Sequence, residues 1–200
     1  MRFSEIKYII LLFLTLSACE WFTTRDPEKP DTGRSTYQPP TSPNIVVSNL
    51  ANAIKEKNID NYISCFADSA LYNVNQYAFV ASADAQSRYT SLFTGWTLFS
   101  ERQYFTTLLQ NSPPETVPLL VMNNFNYQPY PPDTTIYTSE YFLRVNHNNP
   151  SAYSEFSGTL QFVILRNNSG LWCIQRWSDY RSQNDSLANT WSILKAQFSH

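Results

Sequence analysis

The chain has 200 residues, a length typical of one domain with a tail. Apolar residues make up 42% of the chain and aromatic residues 16%, enough for a sizeable core. Lysine and arginine total 14 against 16 acidic residues, and no lysine- or arginine-rich run occurs. This charge pattern lacks the basic surface of a nucleic-acid-binding protein, so we expect no nucleic-acid partner.

The first nineteen residues have the layout of a secretory signal. A charged start precedes an apolar run from Tyr8 to Leu16, small residues follow, and the segment ends at Cys19. The run is far shorter than the ~20 residues of a membrane-spanning helix. Leu16-Ser17-Ala18-Cys19 resembles the lipobox of bacterial lipoproteins, which implies cleavage before Cys19 and acylation of its thiol. The alternative is a plain cleavable signal with an incidental cysteine.

These features predict the domain organisation and the location of the protein. We expect a lipoprotein signal peptide at 1–18, a proline-rich tether at 19–43 and a folded domain at 44–200. Lipidated Cys19 would anchor the protein to a bacterial cell-envelope membrane, with the outer membrane favoured, and leave the domain outside the cytoplasm. Cys65 and Cys173 lie in apolar patterns, and we favour two buried free thiols over a disulfide.

Helical signals dominate the first half of the predicted domain. Apolar spacing predicts a helix from Ser42-Pro43 to Lys57 and a second one capped by Asn58. A short strand is predicted at 70–74. A third helix is predicted to start between Thr97 and Ser100, with Ser100 and Gln103 as a capping box.

Strand signals dominate the second half. Strands are predicted near 117–125, 136–146, 155–166 and 171–180, and Thr190 precedes a last helix at 191–198. Simple alternation in the last strand places Trp172 and Ile174 on the face opposite Cys173 and Trp177. Helices followed by consecutive hairpin strands predict an α+β fold, with helices on one face of an antiparallel sheet.

Four segments of the chain resemble the nuclear transport factor 2-like (cystatin-like cone, SnoaL-like) superfamily, here as a bacterial lipoprotein. They are Leu50 to Tyr62, Phe66 to Ala70, Gly170 to Ile174 and Thr190 to Phe198. The resemblance implies a curved antiparallel sheet wrapped around the N-terminal helices as a cone with one mouth. Some members are isomerases, cyclases or dehydratases, and many only bind small molecules or proteins, so the fold leaves the function open.

The cone resemblance directs attention to polar and aromatic groups that could line a pocket. Asp179 lies between Arg176 and Arg181, and we expect a rim carboxylate that pairs with one of them and keeps a low pKa. His147 lies in a polar turn and is expected to be solvated. The aromatic candidates could equally be core. The candidate pocket residues are Tyr62, Trp96, Tyr104, Tyr141, Trp177 and Asp179.

Other chemistry finds no support in the sequence. Zinc spacing, phosphate-cradling glycines and a nucleophile elbow are all absent, so no metal or cofactor is expected. We expect a non-catalytic cone domain that binds a small apolar molecule or an envelope protein, and a dimer is compatible with it. One alternative is an isomerase- or cyclase-like enzyme using Asp179 or Tyr141. Another is a purely structural envelope module with a filled cone. An open pocket holding a buried carboxylate would separate these.

Overall fold

The structure is a computed structural model that describes residues 35–72, 74–182 and 189–199. Its helices are α1 (Pro43–Lys55), α2 (Ile59–Ile63), α3 (Ser69–Tyr72), α4 (Ala83–Arg88), α5 (Thr90–Phe93), α6 (Leu98–Gln110) and α7 (Trp191–Gln197). Its strands are β1 (Ala78–Val80), β2 (Leu119–Tyr130), β3 (Thr134–Arg144), β4 (Glu155–Arg166) and β5 (Trp172–Tyr180). In this part of the chain, no helix combines the length and the apolar character needed to cross a bilayer. The predicted signal peptide, Cys19 and residues 20–34 of the predicted tether lie outside the described residues.

Local sequence signals explain where the main helices begin. The Asn58 side chain accepts a hydrogen bond from the Asn61 amide and caps α2, as predicted. Thr97 caps α6 through a reciprocal pair with Ser100, so the box lies one turn earlier than predicted. The strand predicted at 70–74 is wrong, because Ser69–Tyr72 forms a short helix. Asp68 accepts a hydrogen bond from the Ala70 amide, which favours a turn at this point.

The α+β prediction is confirmed, with one difference in the sheet. Among the described residues, the strand order is β1-β5-β4-β3-β2 in a five-stranded sheet. Strands β2 to β5 pair antiparallel as consecutive hairpins. Strand β1 pairs parallel with β5, so the sheet is mixed rather than purely antiparallel.

A β-bulge in β5 changes which side chains face the interior. Val163 pairs with Arg176 but Ile164 pairs with Ile174, so one extra residue lies in β5 at Gln175. The extra residue shifts the alternation, and Ile174 and Trp177 both join the core. The prediction that Trp177 lies opposite Ile174 is therefore wrong.

The segment before α1 is bound to the domain. The Gln38 backbone exchanges two hydrogen bonds with the Asn49 side chain, at 3.0 and 2.7 Å. The Pro40 carbonyl accepts a hydrogen bond from the Trp172 amide at 2.7 Å. Residues 35–42, which we expected to belong to a free tether, thus pack against α1 and the start of β5.

The core fills the space between the helices and the inward face of the sheet. Trp177 is the aromatic centre, in ring contact with Phe66, Phe79, Phe162 and Trp191. Helix α7 enters this core, and every residue from Trp191 to Ala196 is buried. Cys65 and Cys173 are buried free thiols, as predicted, and burial raises the pKa of Cys173 to about 11.

Candidate functional site

A carboxylate surrounded by hydrogen-bond donors occupies the interior of the domain. Glu101 lies in the first turn of α6 and is fully buried. Its Oε1 accepts a hydrogen bond from the Tyr62 hydroxyl at 2.6 Å. Its Oε2 accepts hydrogen bonds from the Tyr77 hydroxyl at 3.0 Å and from Trp96 Nε1 at 2.7 Å. These donors satisfy a charge that would otherwise be very costly to bury.

The partner of this carboxylate is a buried lysine. Lys195 of α7 places its Nζ 2.7 Å from both Glu101 carboxylate oxygens, and both side chains are fully buried. The ammonium also lies 3.7 Å from the ring centroids of Phe79 and Trp177, within cation–π distance. Burial lowers the pKa of Lys195 to about 8, and the opposing effect of Glu101 limits the decrease.

No local sequence pattern predicts this ion pair. Neither Glu101 nor Lys195 is among the candidate pocket residues. A usable signal was nevertheless present, because Lys195 lies among Trp191, Ile193, Leu194 and Ala196 on a helix with little polar surface. A lysine in such a helix is seldom buried unless it is paired.

A second buried carboxylate fastens α7 to the sheet. Asp179 accepts a hydrogen bond from the Tyr141 hydroxyl at 2.8 Å on Oδ1. Its Oδ2 accepts hydrogen bonds from the Ser192 amide at 2.7 Å and the Ser192 hydroxyl at 2.5 Å. Burial raises the pKa of Asp179, and the hydrogen bonds from Ser192 and Tyr141 partly offset this.

The prediction that Asp179 is a rim carboxylate with a low pKa is wrong. The side chain is fully buried, Arg181 pairs instead with Asp84 at 3.2 Å, and Arg176 is exposed. The bulge at Gln175 is the physical reason, because the extra residue shifts the strand's alternation and Asp179 faces inward. His147 is likewise half-buried, with its ring against Phe198, rather than fully solvated.

Tyr141 reaches Asp179 because its neighbour on β4 is a glycine. Gly158 pairs with Tyr141, and a Cβ at position 158 would lie only 2.9 Å from the Tyr141 hydroxyl and 2.4 Å from the Tyr180 carbonyl oxygen. The same hydroxyl accepts a hydrogen bond from the Trp191 amide at 2.6 Å. Trp191 Nε1 donates to the Tyr104 hydroxyl at 3.0 Å, so the sheet and α6 both hold the start of α7.

The structure brings the candidate pocket residues together, but as a filled interior. All of them are buried, with at most 6% exposure. Tyr62 and Trp96 bind Glu101, Tyr104 and Tyr141 bind α7, and the Trp177 ring packs against the lysine ammonium. The interior that these residues surround is occupied by α7, whose residues from Trp191 to Ala196 are all buried.

Three recesses among the described residues open to the surface of the domain. Two of them follow the junction of α1 with β2 and the residues before it, with volumes of about 300 and 450 Å³. We call this the α1–β2 groove, and it is lined by Asn44, Val47, Ser48, Ala51, Asn52, Lys55, residues 117–120, Met122, Phe125, Tyr127 and Tyr137. A third recess is lined in part by Tyr141 and Gly158. Asp179, Glu101 and Lys195 line none of these three.

Two further observations bear on ligand chemistry. Within residues 35–72, 74–182 and 189–199, no three His, Cys, Asp or Glu side chains come together in a way that could hold a metal ion. The indole Nε1 of Trp177 is buried and has no hydrogen-bond partner.

No protein-family model matches the sequence, and no curated protein matches it. Solved structures match the fold. A proposed aromatic-ring hydroxylase from Novosphingobium aromaticivorans is 16% identical over 74% of this chain and 91% of its own, with a TM-score of 0.53. A proposed scytalone dehydratase from the same organism is 7% identical over 72% and 87%, also with a TM-score of 0.53.

A proposed dehydratase of the nuclear transport factor 2-like family from Streptomyces avermitilis is 10% identical, with a TM-score of 0.51. The match covers 70% of this chain and 92% of that one. At such low identity the likeness concerns the fold alone. The domain therefore has the nuclear transport factor 2-like cone fold.

Proposed function

We propose that this protein is a non-catalytic interaction module, held at the cell envelope by a lipidated Cys19. The observation that carries the proposal is the Lys195–Glu101 pair, with 2.7 Å contacts and no exposed surface, in the interior of the cone. The interior charges of the cone are paired with one another and line none of the three recesses described above, which supports a closed interior. Partner binding is then a property of the outer surface.

Acid–base chemistry requires a group that a substrate can reach. Both Asp179 oxygens accept hydrogen bonds from the protein, and both Glu101 oxygens do as well. Neither carboxylate lines a described recess. This arrangement supports a structural role for both groups.

The α1–β2 groove is the surface that we assign to the partner. Its α1 side extends from Asn44 to Lys55, about 16 Å at 1.5 Å per residue, which suits an extended protein segment better than a compact small molecule. Val117, Leu119 and Phe125 expose 60%, 46% and 61% of their surface along it. Neighbouring exposed apolar side chains mark interaction sites. Phe125 is presented by a β-bulge in β2, where Asn124 has a positive φ of 50°.

Tryptophan quenching tests the closed interior. A variant with Trp21→Phe and Trp172→Phe retains Trp96, Trp177 and Trp191, all buried in the described structure. We expect iodide to quench their fluorescence far more weakly than that of a free tryptophan analogue. Quenching close to that of the analogue would mean that the interior is open and would contradict the proposal.

Membrane fractionation tests the anchor independently. We expect Cys19→Ser to remain unprocessed or to leave the membrane fraction, because the thiol that carries the lipid is absent. Cys173→Ala is the matched control, since Cys173 is a buried thiol of the domain, and it should fractionate like the wild type. An unmodified mature N-terminus in mass spectrometry would refute lipidation.

Site-specific photocrosslinking in intact cells tests the groove. A photoreactive residue at Phe125 should give a discrete crosslinked species. The same residue at Phe99, which is 75% exposed and lines neither recess of the groove, should not. A product of twice the monomer mass would identify a second copy as the partner. Equal crosslinking at the two positions would contradict a specific groove.

A second candidate function, an isomerase- or cyclase-like enzyme, is favoured by one observation. Tyr141 donates a hydrogen bond to Asp179, whose pKa is raised by burial, and proton-transfer catalysts use carboxylates of this kind. Such an enzyme would need α7 to leave the interior. Strong iodide quenching in the tryptophan experiment would support this candidate.

A further inference from the structure

We propose that the interior of the cone is a binding site for a primary alkylammonium ion, which the chain fills with its own Lys195. This inference concerns the recognition chemistry of the interior and does not depend on the surface partner. Four features of the described residues support it. They are the buried carboxylate, the aromatic rings around the ammonium, the location of both outside α7, and the separate contacts that hold α7 in place.

The site offers an ammonium group both of its preferred partners. The two Glu101 oxygens each accept a hydrogen bond from Nζ at 2.7 Å. Ring faces surround the rest of the charge, with Phe79 and Trp177 at 3.7 Å and Trp96 and Tyr104 at 5.5 and 5.7 Å. Aromatic cages of this kind recognise organic cations.

The carboxylate and the four aromatic rings that contact the ammonium belong to the body of the cone. Tyr62, Tyr77 and Trp96 orient the Glu101 carboxylate, and none of them lies on α7. The closest ring faces come from β1 and β5. The carboxylate and its aromatic walls therefore have partners other than Lys195 to hold them, and the lysine acts as a ligand supplied by α7.

Helix α7 is held at its other end by different contacts. Asp179 binds Ser192, and Tyr141 and Tyr104 bind Trp191. Truncating Lys195 should therefore remove the ligand while leaving the helix attached. The Lys195→Ala change deletes three methylene groups and the ammonium, which is the size of propylammonium.

The geometry also defines which cations fit. A primary ammonium has N–H donors for both carboxylate oxygens. A quaternary ammonium has no N–H group and would leave the carboxylate oxygens without those bonds. A neutral alcohol lacks the charge that Glu101 and the ring faces stabilise.

Chemical rescue of Lys195→Ala tests the proposal. We expect propylammonium chloride to raise the melting temperature of this variant by several degrees and to saturate. At the same ionic strength, 1-propanol, tetramethylammonium chloride and potassium chloride should have much smaller effects. The wild type should respond little to propylammonium, because its site is filled.

Leu194→Ala is the matched control, since Leu194 is fully buried on the same helix and its truncation also leaves a cavity. It should show no preference for propylammonium over 1-propanol. Equal responses of Lys195→Ala to the amine and the alcohol, or no response, would overturn the proposal. If Lys195→Ala is unfolded without additives, the same comparison is made by refolding. Failure of propylammonium to restore the native circular dichroism spectrum would then overturn it.

Nuclear magnetic resonance of the wild type provides an independent measurement. The Lys195 Nζ lies 3.7 Å from the centroids of the Phe79 and Trp177 rings, so the signals of the adjacent ε-methylene protons should be shifted upfield by ring currents. Signals at the positions of exposed lysines would overturn the proposal.

Discussion

The buried Lys195–Glu101 pair gives the sharpest test of this structure, through removal of each partner in turn. Glu101→Gln leaves the lysine ammonium buried without a counter-charge, and Lys195→Met leaves the carboxylate without its cation. Removing one partner of a buried ion pair costs about 3–5 kcal/mol, because an uncompensated charge remains. In a domain of this size, each kcal/mol of lost stability lowers the melting temperature by about 2–4 °C, so we expect a decrease of about 6–20 °C.

The double variant measures the coupling between the two side chains. Glu101→Gln with Lys195→Met contains neither charge, so its loss of stability should fall short of the summed single losses by at least about 2 kcal/mol. Urea unfolding followed by circular dichroism gives the free energies of unfolding. The denaturant dependence should stay constant across the variants if all of them unfold from the same compact state.

An exposed ion pair provides the matched control. Arg102 lies 2.9 Å from Asp60, and these side chains are 46% and 86% exposed. Asp60→Asn should change the free energy of unfolding by only about 0–1 kcal/mol, because solvent screens this pair. Losses of that size for Glu101→Gln and Lys195→Met, or strictly additive losses in the double variant, would refute a sealed ion pair.

Three further predictions follow from the buried groups. Asp179→Asn should lower the free energy of unfolding by about 1–3 kcal/mol. The reason is that Tyr141 and Ser192 donate hydrogen bonds to both carboxylate oxygens, whereas an amide has only one acceptor oxygen. An unchanged urea midpoint would contradict this. Trp177→Ala should cost about 3–5 kcal/mol as a core truncation and Trp172→Ala distinctly less, because Trp172 is only half-buried; equal losses in thermal melts would contradict the bulged register of β5. The pKa of Lys195 is about 8 in the folded protein and 10.5 for an ordinary lysine. Between these two pH values the lysine is therefore protonated in the unfolded chain and largely deprotonated in the folded protein. The free energy of unfolding of the wild type should therefore rise with pH over this range relative to that of Lys195→Met, by up to about 1.4 kcal/mol per pH unit. A decrease of this difference with pH, measured by urea unfolding, would contradict the prediction.

Much of the architecture is determined by local sequence. The spacing of Val46, Leu50 and Ile54 produces α1, and the Asn58 side chain caps α2 through a contact three residues away. The alternation along β3 and β4 is regular, so both strands and their antiparallel pairing were predictable. These signals operate over a few residues, which is why they can be read without the fold.

The candidate site could be predicted only in part from the sequence. The aromatic residues were selected correctly as a group that meets in the interior, because large apolar side chains are buried together wherever the fold allows. Asp179 was predicted at the rim because Arg176 and Arg181 flank it in the chain. No local pattern reveals the extra residue at Gln175 that turns it inward. The ion pair joins residues 94 positions apart in the chain, and no local pattern links them.

The sequence alone therefore determined the main helices, the four long strands and the apolar surface available for a core, because these follow from propensity and periodicity over short distances. The short elements between residues 69 and 93 were not determined in this way. Only the tertiary structure decided that α7 enters the cone, that Lys195 meets Glu101, and that Asp179 holds α7 rather than facing solvent. The physical reason is that buried charges depend on partners brought together by packing. Whether a carboxylate is a rim group, a catalyst or a structural anchor is set by those partners and not by its neighbours in the chain.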